Sequence, residues 1–211
     1  MCFKKSETND KDLVGRKTLI YLLPNILTVV RILLVPLLAL PFLFPTTWPQ
    51  WIALAIFVFA GATDYLDGFL ARRLGAVSDF GSMLDPIADK MLVLTAIALL
   101  LFQGTIPLVP SLLIICREVF VSGLREYLGR RTIKMPVSML AKWKTAVQFI
   151  ALGLLLANDS IEVPDWTLVS AFELGSVFIW VAAGLTVVTG YGYCRMGFRH
   201  VVGSHNQGAK R

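Results

Sequence analysis

Four aspartates define the chemistry this chain can do. Asp64 and Asp67 stand three residues apart, and Asp85 and Asp89 four apart. On a helix either interval puts both side chains on one face. Like charges this close repel one another unless cations sit among them, and acidic groups at a bilayer are costly enough to mark a working site. The stretch that holds them, DYLDGFLARRLGAVSDFGSMLDPIAD, contains no His or Cys. All four donors are therefore hard oxygens, which favour magnesium or manganese over zinc or copper. Two divalent ions balance four carboxylates, and a two-metal site clamps both the entering and the leaving oxygen of a phosphoryl group.

The residues around the carboxylates fit that use. Gly68, Ala71 and Gly75 follow Asp64 at helical intervals, so a strip with almost no side chains runs beside the acidic pair and lets another molecule approach the backbone. Arg72 adjoins the strip and suits a phosphate oxygen. The short polar link from about Arg73 to Phe80 returns the chain as an antiparallel hairpin, which sets Asp85 and Asp89 opposite Asp64 and Asp67. Plainer readings exist for each part. Asp85 before Pro86 is an N-cap signature, Asp64 and Asp67 suit a solvated helix end, and the glycines suit close helix packing.

The elements that must position these residues are apolar. The 211-residue chain is 56% hydrophobic and 16% charged, with a mean hydropathy of +0.69. Average soluble domains carry about 25% charge, so the expected fold class is an all-α integral membrane protein. Six apolar runs approach the roughly 20 residues a span needs. They cover Thr18–Phe44, Trp51 into the acidic stretch, Gly81–Phe102, Ile106–Leu128, Val137–Ala157 and Ser170–Cys194. The first is too long for a signal-peptide core and lacks an A-x-A site. A polar segment, 1–17, precedes a six-helix domain, 18–194, and a basic tail, 195–211, follows. The links at 45–50, 103–107 and 158–169 hold no Lys or Arg, whereas the alternate ones and both termini do. That asymmetry puts both termini and the acidic stretch on the cytoplasmic side. The net charge of +6 gathers at the ends of apolar runs, which suits anionic lipids and phosphorylated substrates and does not suit nucleic acid. Cys2, Cys116 and Cys194 have neither disulfide nor zinc spacing, and His200 and His205 fall in the tail.

Taken together, Asp64-x2-Asp67-Gly68-x2-Ala71-Arg72-x8-Gly81-x3-Asp85-x3-Asp89 resembles the full signature of the CDP-alcohol phosphotransferases. The resemblance implies a six-helix membrane fold, usually homodimeric, and a magnesium-dependent displacement in which an alcohol attacks a CDP-activated lipid and CMP leaves. It implies that Asp64, Asp67, Asp85 and Asp89 are metal ligands and that Asp89 is also the general base. Gly68, Ala71 and Arg72 would cradle the CDP group, with Ser78 beside them. Asn25 and Thr28 would contact the cytosine, although capping near Pro24 also accounts for Asn25.

Three further segments are similar to the branch of the family that makes phosphatidylglycerophosphate: PNILTVVR at 24–31, REVFVSGLRE at 117–126 and AKWKT at 141–145. The implied substrates are CDP-diacylglycerol and sn-glycerol 3-phosphate, in a bacterial inner membrane with the active site at the cytoplasmic face. A dianionic acceptor needs a cationic site, and Arg117, Arg125, Lys142 and Lys144 are the candidates. Arg117 and Arg125 lie eight apart, about two turns on one helix face. Positive-inside anchoring explains either lysine equally well. Arg117 lies in an apolar run and needs a partner, for which Glu118 and Glu126 are available. Arg31 suits an ion pair inside the bundle as well as a ligand contact. The alternatives are the same chemistry on inositol phosphate, serine or phosphatidylglycerol, and a divalent-cation transporter.

Overall fold

The structure, a computed structural model, describes residues 26–43, 49–74, 79–130, 138–157 and 170–208, without the side chains of residue 65 or of residues 67–74, 79–82, 85, 130 and 198–208. Six helices are present among the described residues, with no strand: α1 (Ile26–Leu43), α2 (Pro49–Leu74), α3 (Asp79–Phe102), α4 (Leu108–Arg130), α5 (Met139–Ala157) and α6 (Ala171–Gly208). Of these, α1, α5 and the Ala171–Gly197 part of α6 are long and apolar enough to cross a membrane. The apolar part of α2 stops at Asp64, where the acidic stretch begins.

Local chemistry sets the helix ends. Ser170 and Glu173 form a reciprocal capping box at α6: the Glu173 N–H donates to Ser170 Oγ (3.1 Å) and the Ser170 N–H to Glu173 Oε2 (3.0 Å). At α5 the Ala141 N–H donates to Ser138 Oγ (3.2 Å), the same cap without its acidic half. Gly104, at φ 72°, closes α3. Its N–H reaches Leu101 O (3.1 Å) and the Thr105 N–H reaches Leu100 O (3.0 Å), a left-handed turn that glycine enters at no steric cost.

Two differences from the sequence reading concern helix bounds. Pro86 lies inside α3, which starts at Asp79, so Asp85 is not an N-cap. It sits within the helix, and Lys90 Nζ donates to the Pro86 carbonyl (3.0 Å). The sixth helix does not stop near Cys194 but runs on to Gly208, 38 residues in all. At 1.5 Å per residue it is about 57 Å long, well beyond the roughly 30 Å of a bilayer core. Much of the basic tail is thus helical.

The chain forms two units, Met1–Ala96 and Ile97–Arg211. In the first, α1 buries Thr28, Arg31, Val35 and Leu38, a stripe at intervals of three and four. Pro36 and Pro41 lie within the same helix, a placement that membrane helices tolerate. The matching stripe of α2 is Ala53, Phe57, Ala60 and Thr63, and that of α3 is Ala88, Leu92 and Ala96. In the second unit α6 packs on both α4 and α5. The α5 contact is close: a Cβ on Gly175 would lie 2.8 Å from Leu155 Cγ. Ser111, Ile114, Val121 and Leu128 form the buried stripe of α4.

Candidate functional site

The acidic signature is helical on both of its arms. Asp64 and Asp67 lie on α2, and Asp85 and Asp89 on α3, so each pair keeps the one-face spacing that the sequence predicts. Gly68, Ala71 and Arg72 continue α2 beyond Asp67. The side chains of Asp67, Ala71, Arg72 and Asp85 lie outside what is described, as do Asn25 and Ser78 altogether. Asp89 is exposed, and the side chain of Asp64 is 44% exposed.

Beneath Asp64 sits the residue that the sequence left open. Arg31 is only 1% exposed and forms an ion pair through Nη1 with Asp64 Oδ1. The pairing follows from the two stripes. Arg31 shares the buried face of α1 with Thr28 and Val35, and Asp64 is next to the buried Thr63 on α2. A guanidinium taken out of water needs a carboxylate, and Asp64 supplies it from the partly open end of the α2 stripe. One charge of the acidic stretch is thereby compensated from inside the protein. Thr28 is buried at 1% exposure, one turn from Arg31 on that face.

These observations fit a divalent cation. The donor set is all carboxylate, the two carboxylates whose side chains are described are accessible, and α2 and α3 hold both pairs in helical register.

The second unit holds a polar cluster among apolar helices. Glu118 Oε1 accepts from Arg117 Nη1 (3.2 Å) and pairs with Lys144 Nζ. Arg117 Nη2 donates to Thr189 Oγ1 of α6 (3.3 Å), and the Arg117 guanidinium carbon lies 5.6 Å from the centre of the Tyr193 ring. Lys144 is 3% exposed. Two cations on one carboxylate oxygen leave the trio itself with net positive charge, and an anion is the ligand such a group would take.

Of the four cations expected at an acceptor site, Arg117 and Lys144 come together in this cluster, while Arg125 and Lys142 are exposed and outside it. Helical geometry explains the split. Lys142 and Lys144 point about 200° apart, and Arg125 is turned about 80° from Arg117. The sequence reading offered Glu118 and Glu126 to Arg117, and Glu118 is the partner seen. It missed Thr189, Gly190 and Tyr193. Their signal was a polar line, Thr186-x2-Thr189-Gly190-x2-Tyr193, at helical spacing inside an apolar run.

Comparison with known proteins adds the following. Residues 21–188 match a family model described as CDP-alcohol phosphatidyltransferase. A Cereibacter sphaeroides protein named CDP-diacylglycerol–glycerol-3-phosphate 3-phosphatidyltransferase is 41% identical, over 82% of this chain and 94% of its own. A Rickettsia bellii protein of the same name is 41% identical over 81% of this chain and 92% of its own. For one from Pseudomonas fluorescens the figures are 41%, 85% and 91%.

Proposed function

This chain belongs to the CDP-alcohol phosphatidyltransferase family, and from that premise we propose that it transfers the phosphatidyl group of CDP-diacylglycerol to sn-glycerol 3-phosphate, releasing CMP. The relatives at about 41% identity bear the name of this reaction across most of the chain. The geometric observation that carries the acceptor is the pairing of Arg117 and Lys144 on one carboxylate oxygen. Serine or a neutral polyol would not need that positive charge, and an acceptor bearing its own phosphate would.

Asp64, Asp67, Asp85 and Asp89 would hold two divalent ions, magnesium or manganese. Bound there, the ions would neutralise the diphosphate and the charge that develops on it. Arg31 orients Asp64 from below. Asp89 takes the proton of the acceptor hydroxyl as its oxygen bonds to the β-phosphorus, and the bond from that phosphorus to the CMP oxygen breaks. Gly68, Ala71, Arg72 and Ser78 cradle the CDP group, with Asn25 and Thr28 at the cytosine. Arg117 and Lys144 receive the acceptor phosphate, with Arg125 and Lys142 attracting it from the surface. No side-chain nucleophile is needed for a direct displacement.

The same reading makes all six helices spans, with both termini and the active site at the cytoplasmic face of a bacterial inner membrane, in a homodimer. The Lys and Arg asymmetry of the links supports the orientation.

Purified protein should release CMP from CDP-diacylglycerol when glycerol 3-phosphate and magnesium or manganese are present, and not when either is left out. Release with serine or inositol phosphate in its place would move the chain to another branch. Metal flux in liposomes without CMP release would make it a transporter.

A further inference from the structure

We infer that α6 is a working wall of the acceptor site, in which Thr189, Gly190 and Tyr193 are positioning residues that aim the Arg117 guanidinium at an anionic group. The inference rests on the acceptor reading above and deepens it.

A guanidinium offers five N–H donors in a rigid fork, so the direction in which it is held decides what it can bind. Here each side of the fork has its own support. Nη1 donates to Glu118 Oε1 on the same helix, and Nη2 donates to Thr189 Oγ1 across the α4–α6 contact. Nε is buried and has no hydrogen-bond partner among the described residues, so donor capacity is left over.

Thr189 can act only as an acceptor toward Arg117. Its single hydroxyl proton goes to the Leu185 carbonyl (2.7 Å), with the Thr186 carbonyl at 3.2 Å. The proton is committed to the backbone of its own helix, and a lone pair faces the guanidinium. Gly190, the next residue, lies close against the stem: a Cβ there would lie 3.2 Å from Arg117 Cγ, so an added methyl would make the stem give by a few tenths of an ångström. Tyr193, 6% exposed, is one turn further on and sets its ring against the guanidinium, a cation–π contact. These three residues, within two adjacent turns of α6, hold the hydrogen-bond donor, the stem and the plane of a single side chain.

Packing alone would explain a partner for a half-buried arginine, but it predicts a different result. A packing role lowers stability and affects both substrates alike. A positioning role shifts recognition of the acceptor phosphate alone, because directional pairing is lost when the fork tilts.

The test uses full-length protein in detergent, with Thr189→Val, Thr189→Ser and Gly190→Ala. Valine keeps the shape and removes the acceptor oxygen, whereas serine retains it. Thr189→Val should raise KM for glycerol 3-phosphate about tenfold, with KM for CDP-diacylglycerol within about twofold. Thr189→Ser should restore most of the loss. Gly190→Ala should show the same one-sided shift and serves as the test should the valine variant fail to fold. Equal shifts in both KM values, or none for the acceptor, would overturn the inference. Direct titration of glycerol 3-phosphate separates it from the reaction. Wild type that binds this ligand without releasing CMP overturns the reaction, and weaker binding by Thr189→Val then still supports the role of α6. Equal binding by wild type and Thr189→Val overturns that role and leaves the reaction in place. A wild type that neither binds nor turns over overturns both.

Discussion

Arg31 and Arg117 both lie inside apolar helices, and the way each is satisfied shows how its unit is built. Arg31, almost fully enclosed in the first unit, is paired with one carboxylate of the signature, whose side chain stays 44% open. Arg117, in the second, is 14% exposed and shares Glu118 with Lys144, a second cation. The first arrangement uses a buried cation to hold a carboxylate that stays open on its other side. The second uses one half-buried carboxylate to hold two cations. The lesson is that the same ion-pair chemistry serves both units, and under the proposed function it prepares one for cations and the other for an anion. Substitutions in the first unit should act on turnover and on metal, and those in the second on acceptor recognition.

The strongest test of that division is Asp89→Asn. Loss of the base should cut kcat about a thousandfold while CDP-diacylglycerol binding largely survives, read as CMP release against direct lipid binding. Turnover within tenfold of wild type would remove Asp89 from the base role. Arg117→Ala comes next. It should raise KM for glycerol 3-phosphate by about 10–100-fold, the value of a hydrogen bond to a charged group, and leave the magnesium requirement alone. A change in that requirement would mean the two units do not divide the work.

Asp64→Asn and Asp67→Asn separate structure from ligation within the first unit. Both should weaken magnesium binding, and Asp64→Asn also breaks the ion pair with the buried Arg31. Breaking a fully buried pair costs about 3–5 kcal/mol, and the exposure of Asp64 places its loss below that. Thermal unfolding in detergent without metal should therefore show a lower Tm for Asp64→Asn than for Asp67→Asn. Equal Tm values would deny Asp64 its second role. Smallest of all, Arg125→Ala and Lys142→Ala should each change KM for glycerol 3-phosphate by about two- to threefold, fading as salt rises. A larger, salt-insensitive effect would put them in the site beside Arg117.

Much of this was legible in the sequence, for a local reason. The pairs Asp64/Asp67 and Asp85/Asp89 needed only the pitch of a helix to keep a one-face spacing, and the helices α2 and α3 supply that pitch. The capping box at Ser170 and Glu173 and the turn at Gly104 are likewise written within a few residues. The far end of α6 was misplaced because hydropathy ends at the membrane whereas hydrogen bonding along a helix does not. The Asp85–Pro86 pair looked like a helix start, since Asp before Pro caps many helices, yet the helix had already begun at Asp79.

The sequence by itself thus determined the helical, largely apolar architecture, the spacing of the aspartates and the family to which the chain belongs. All of these follow from residue type and short-range spacing. The tertiary structure alone decided that Arg31 meets Asp64, that Lys144 and not Lys142 turns inward, and that α6 supports Arg117. Those contacts join residues far apart in the chain: 26 positions separate Glu118 from Lys144, and 72 separate Arg117 from Thr189. Helical periodicity says which side chains share a stripe, and only the packing of one helix on another says which stripe it meets.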